Sequence, residues 1–331
     1  MAGQLALRRP ASARHVLTLA LIASGLVALG RLSVAGSTPE VETFVLIFTS
    51  IVVEALPFVL LGALVSALIE VYVPDRVFHR IAALPVGLQL PAAAFGGLAF
   101  PVCECGSVPV ARRLISRGMH PSAGLAFMLA SPILNPIVLA STVVAYSGRG
   151  LALEMTVGRA ALGLLLAMAA GWAIGTDQAR DLLRPRPDDE LHGHDDTNKR
   201  VAFVEHLAGD FFFMGRFVVV GSALAALLQT AIPQSLVGGV ARTPILGSLA
   251  LMGIAYVLSL CSEADAFVAV SFTQFPLGSQ LAFLVFGPVV DAKLSFLYGA
   301  TFRRRFVTRL VIVAIPVVLA GSLWFEALVA R

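Results

Sequence analysis

The feature that most constrains this chain is a series of apolar blocks, each roughly 20 residues or longer, separated by short runs rich in arginine. A block of that length crosses the hydrocarbon core of a bilayer as a helix. The strands of a membrane barrel would alternate apolar and polar positions over about 10 residues, and these blocks do not alternate. Composition agrees: of 331 residues, 58% are hydrophobic and 13% charged, with a mean hydropathy of +0.87. A soluble domain carries about 25% charged residues. Half of that leaves too little polar surface to cover a water-soluble body. The expected fold class is all-α, a polytopic membrane protein whose solvent is the lipid bilayer.

The formal charge is +4 and the sequence pI about 9.3. Nucleic acid is one partner of basic chains, but here Lys and Arg sit between apolar blocks, the pattern of cytoplasmic loops that hold excess basic charge. Three cysteines do not make a disulfide framework. The chain has no G-x-S-x-G, no phosphate loop and no H-E-x-x-H, so hydrolase and ATPase readings lack support and no cofactor is implied.

Residues 1–40 read as an N-terminal anchor. Arg8, Arg9 and Arg14 precede an apolar run over about 16–30. An uncleaved helix with a cytoplasmic N-terminus is preferred. A signal peptide is the alternative, because Ser33-Val34-Ala35 resembles a cleavage site. A long segment from Val41 to Val73 carries Glu54 and Pro57. Residues 90–102 are apolar and end at Pro101-Val102-Cys103-Glu104-Cys105-Gly106. A half-length stretch follows, ending in Arg112, Arg113 and Arg117. Pro121 to Tyr146 is interrupted by Ser131-Pro132 and Asn135-Pro136, and Leu151 to Gly175 reads as an ordinary span. Residues 176–206, dense in Asp, Arg and Pro, read as a cytoplasmic linker between a first transmembrane repeat (41–175) and a second (207–331). Spans are expected in the second at about 207–231, 244–259, 279–299 and 307–329.

The halves resemble each other. Gly62-Ala63 through Pro74 matches Gly221-Ser222 through Pro233. A constant offset of 156 aligns Cys105 with Cys261, Ala126-Phe127 with Ala282-Phe283, Pro132 with Pro288, and Asn135 with Asp291. If Gln89 to Arg117 crossed the membrane, its three arginines would lie opposite Arg76 and Arg80; a hairpin that enters and returns puts all five on the cytoplasmic side. The same reasoning for 244–275 makes the two hairpins enter from opposite faces. The expectation is an inverted repeat of about nine spans plus two re-entrant broken-helix hairpins, with a substrate site near the midplane.

Several residues could carry chemistry. Cys103 and Cys105 can bind a soft metal or metalloid together, and Pro101, Gly106 and Pro109 suit a broken helix. Asn135-Pro136 and Ser131-Pro132 mark a second break, and Asn135 can both donate and accept. Asp291 is followed by Lys293, a costly arrangement in lipid unless paired. Cys261-Ser262-Glu263-Ala264-Asp265 is the second-half counterpart of the cysteine motif. Intramembrane carboxylates are often proton relays, which makes Glu54, Glu104, Glu263 and Asp265 the coupling candidates. His192-Gly193-His194-Asp195-Asp196 has metal-binding residue types but lies in the polar linker and is read as solvated.

Residues 101–136 resemble the ArsP/YraQ-like permease family through Cys103-x-Cys105-Gly106, Pro109, Gly118, Ala126-Phe127, Ser131-Pro132 and Asn135-Pro136, with Glu54, Pro57-Phe58 and Gly62 upstream and Cys261 to Lys293 downstream. The resemblance covers nearly the whole chain after the first span. It implies a multi-pass inner-membrane permease, similar in its best-understood branch to exporters of trivalent methylated arsenic, for which Cys103 and Cys105 would be natural ligands. The first reading is therefore a secondary permease, not an enzyme, with Cys103, Cys105, Ser131, Asn135, Cys261 and Asp291 in contact with a small-molecule or metalloid substrate. The alternatives are a membrane thiol-disulfide oxidoreductase cycling Cys103 and Cys105, and a subunit of a larger permease, as a homo-oligomer or beside a different protein.

Overall fold

The computed structural model describes residues 39–74, 76, 80, 84–99, 102–175, 179–185, 199–231 and 243–329. The expected anchor over 1–38 and the His192 to Asp196 run lie outside them. The first half contains α1 (Pro39–Tyr72), α2 (Val86–Ala99), α3 (Glu104–Ser116), α4 (Pro121–Leu134), α5 (Pro136–Ser147), α6 (Ala152–Ile174) and a short α7 (Ala179–Leu182). The second contains α8 (Lys199–Ala231), α9 (Pro244–Leu258), α10 (Asp265–Ala269), α11 (Leu277–Phe286), α12 (Ala292–Thr301) and α13 (Arg305–Val329). No strand occurs among the described residues beyond one isolated bridge.

Five stretches among the described residues are long and apolar enough to cross a bilayer: α1, α4 with α5, α6, α8 and α13. Their outward faces carry large apolar side chains, and Trp172 and Trp324 are 72% and 74% exposed. In lipid that surface needs no cover, and tryptophan near a helix end suits the bilayer interface. The innermost helices are α4, buried along its whole length, and α11, nearly so.

Breaks fall where the sequence supplies caps. Asn135 Oδ1 accepts from the Ile137 N–H at 3.0 Å, and Pro136, which has no N–H to satisfy, opens α5. Asp291, its repeat equivalent, caps α12 by accepting from the Leu294 N–H. The segment expected as one span over 279–299 is thus two short helices that meet at a buried carboxylate. At the end of α3, Gly118 adopts φ +101° and lets the Met119 N–H reach back to the Leu114 carbonyl, which closes the helix. The α9 break turns on Ser259 at φ +47°, a left-handed conformation few non-glycine residues take. Residues 199–206, read from sequence as linker, form the first turns of α8. At about 1.5 Å per residue the 33-residue α8 is close to 50 Å long, so its charged start projects beyond the apolar layer.

The halves are related by inversion. In α1 and α8, Ser66 donates to Asp210 while the rings of Tyr72 and Phe203 lie tilted 6.2 Å apart, so these equivalent helices run antiparallel. In α6 and α13, Gly158 faces Phe325 and Gly321 faces Leu162, again antiparallel. The packing of α2 on α4 and of α4 on α6 recurs as α9 on α11 and α11 on α13. The hairpin of α2 and α3 returns to the end where α1 finishes: Arg113 pairs with Glu70 at 3.3 Å, and Arg117 with Glu70 at 3.2 Å. The hairpin of α9 and α10 returns to the other end, where Arg149, between α5 and α6, bonds the Val270 carbonyl at 3.5 Å. The two hairpins enter from opposite ends, as the charge argument expected.

Candidate functional site

The two hairpin tips meet inside the bundle. Cys103 is the N-cap residue of α3, with Glu104 and Cys105 in the first turn. Its thiol lies close to those of both Cys105 and Cys261. All three cysteines are free thiols and buried, at 1%, 1% and 4% exposure. Close backbone approach makes this possible. A Cβ on Gly62 of α1 would collide with the Gly106 backbone, and one on Gly221 of α8 would come within 2.8 Å of the Lys293 Cα. Small residues at such crossings are how helices approach in lipid, where no hydrophobic force drives them together.

Around the thiols runs one chain of polar contacts. Lys293 Nζ lies 3.9 Å from Asp291 Oδ2 and 3.2 Å from Glu104 Oε1. Ser262 Oγ donates to Glu104 Oε2 at 3.1 Å. The Ser262 carbonyl accepts from Arg159 at 3.2 Å, and Arg159 grips Asp265 with two bonds of 2.9 and 2.7 Å. A further Arg159 bond of 2.9 Å reaches Thr142 on α5. Both ion pairs join one half to the other: α3 to α12 through Glu104 and Lys293, α6 to α10 through Arg159 and Asp265. Ser262 touches both.

Of the residues singled out from sequence, Cys103, Cys105, Cys261, Glu104, Asp265 and Asp291 fall on or beside this chain. Glu263 lies beside the Cys261 thiol, with its carboxylate oxygens buried. Glu54 is half-buried on α1, within electrostatic reach of Lys293 and Glu104. Asn135 spends its side-chain oxygen on the α5 cap. Ser131 donates to the Phe127 carbonyl at 2.7 Å and packs against Gly97 of α2.

Arg159 was missed. It sits in the segment read as an ordinary span, yet it is fully buried. An arginine inside a membrane helix is itself the signal that should have marked it. Carboxyl groups outnumber cations in this region: Glu54, Glu104, Glu263, Asp265 and Asp291 face Lys293 and Arg159. No group of three or more His, Cys, Asp and Glu is arranged to hold a metal ion among the described residues.

Known proteins share this chain's sequence over most of its length. The family model ArsP_1, described as a predicted permease, matches residues 40–326. UPF0718 protein YcgR of Bacillus subtilis (strain 168) is 40% identical over 282 residues, covering 84% of this chain and 95% of that protein. A Streptococcus mutans serotype c (strain ATCC 700610 / UA159) protein named "Putative two-component membrane permease complex subunit" is 33% identical over 274 residues, covering 80% of this chain and 89% of that one. No solved structure gives a significant match. With the family model matching residues 40–326 and a relative 40% identical over 84% of the chain, the chain belongs to the ArsP_1 family of predicted permeases.

Proposed function

We propose that this permease is a secondary transporter that exports a small thiol-reactive species, of the trivalent organoarsenical class, past Cys103, Cys105 and Cys261. The observation that carries this reading is the convergence of three buried thiols, from both halves, at the tips of the two hairpins. Trivalent arsenic and soft metals bind sulfur in preference to oxygen. The surplus of carboxyl groups disfavours an anion such as an oxyanion of arsenic and suits a neutral or cationic species. In this reading the soft species is cargo, not a resident cofactor. Glu263, whose buried carboxylate oxygens lie beside the Cys261 thiol, is the leading proton carrier, and Glu54, Glu104 and Asp265 complete the set. Excess arginine at the end holding α7 and the start of α8 favours a cytoplasmic location for that end.

The test is cellular accumulation in arsenic-sensitive cells lacking efflux, with trivalent methylarsenic and inorganic arsenite compared. Lower methylarsenic in cells expressing the protein, abolished by Cys103→Ser with Cys105→Ser, is the expected result. The same assay across pH should lose its pH-dependence in Glu263→Gln. Accumulation equal to that of empty cells would refute the substrate class. A reversible Cys103–Cys105 disulfide under mild oxidant would instead favour the thiol-disulfide oxidoreductase.

A second reading follows from the name of the Streptococcus relative: this chain is one subunit of a two-component permease. Affinity purification from its native membrane in mild detergent should then yield a second membrane protein in fixed ratio. A single chain by mass would exclude that reading.

A further inference from the structure

Away from the thiols, a polar cavity opens at the end of the bundle where α6 finishes and α13 begins. Its volume is about 550 Å³, and its charged lining is Arg303, Arg304, Arg305, Arg309 and Asp181. Among the described residues, Arg303, Arg304 and Arg305 set three exposed guanidinium groups against one carboxylate, Asp181. Its floor is apolar, made by Ile174, Leu182 and Phe306, all buried. A volume of this size suits a small ligand.

The wall is fixed by the fold. Leu183 and Phe302 form an antiparallel bridge. It is closed by the Arg184 N–H to the Thr301 carbonyl and the Arg303 N–H to the Leu182 carbonyl, each 3.0 Å. The Thr301 carbonyl also accepts from Arg112 of α3 at 3.3 Å. The backbone that bears Arg303 and Arg304 is therefore tied to the body of the protein. Their side chains, and that of Arg305, are exposed and pair with no carboxylate among the described residues. Adjacent unpaired guanidinium groups repel one another, and an anion between them relieves that repulsion. The planar fork of arginine matches phosphate oxygens in pairs. Helices long enough to cross a bilayer end at this cavity, which places it at headgroup depth, where basic pockets between membrane helices meet acidic lipid.

We propose that this pocket binds a phosphate-bearing anion, the headgroup of an acidic phospholipid or a free phosphate ester. The full-length protein, stripped of lipid in neutral detergent, is titrated with short-chain phosphatidylglycerol, with phosphatidylcholine of the same chain length, and with inorganic phosphate. Phosphatidylglycerol should saturate one site that phosphatidylcholine does not fill. Arg303→Gln with Arg304→Gln should weaken it on the order of 30-fold. Lys199→Gln with Arg200→Gln removes the same charge elsewhere and should leave binding unchanged. If the pocket variant aggregates, Arg305→Gln carries the test. Competition by inorganic phosphate assigns a free-phosphate site; saturation without competition assigns the lipid headgroup. Equal affinity for the two lipids, or equal phosphatidylglycerol affinity in the pocket variant and the unmodified protein, overturns the proposal.

Discussion

Arg159 shows what a single side chain can hold. Its two bonds to Asp265 and one to Thr142 lie wholly out of solvent. Removing one partner of such a pair strands a buried charge, at a cost of about 3–5 kcal/mol, whereas neutralising both is far milder. Arg159→Gln should therefore lower the detergent melting temperature sharply, and adding Asp265→Asn should recover much of the loss. Equal melting of the single and double variants would mean the pair is not coupled. Cys103, Glu104 and Asp291 were legible because thiols and carboxylates in an apolar run demand an explanation. Arg159 obeys the same rule, but averaged hydropathy hid one arginine among 22 other helical residues. The role of Ser262 was not legible at all, since its two partners come from other elements and only the fold supplies them.

Asn135 and Asp291 stand at equivalent places in the two halves and perform the same local task, capping the outer part of a broken helix. Loss of a cap costs about 0.5–2 kcal/mol. Asp291→Asn preserves an acceptor for the Leu294 N–H and removes only the charge near Lys293; Asp291→Ala removes both. The alanine variant should melt lower than the asparagine variant. Equal melting would show that the cap is not what Asp291 supplies to stability. The break at Asn135 was readable from Pro136. The break at Asp291 was not, because Ala292 stands where the first half has proline and the apolar run continues through Val289-Val290. The re-entrant shape of the first hairpin was inferred from arginine placement alone, and the pairing of Arg113 and Arg117 with Glu70 agrees with it.

For the molecule as a whole, the buried thiols are closed to solvent in this arrangement, so under the proposed function the halves must move relative to each other before cargo reaches them. A short bifunctional thiol reagent that enters should bridge Cys103 or Cys105 to Cys261. With a protease site inserted between residues 190 and 191, the cleaved halves should then stay together in denaturing gels. Separation after cross-linking would mean the tips do not meet. The antiparallel packing of α1 with α8 and of α6 with α13 has a further consequence. A body built from two oppositely directed copies fits a membrane equally well either way up. The offset of 156 that aligns the cysteines pairs Arg112, Arg113 and Arg117 with Val268, Ala269 and Thr273, and Arg303 and Arg304 with Ser147 and Gly148. On such a scaffold, these few arginines, present in one half and absent at the equivalent positions of the other, would act as the address label for its orientation in the membrane.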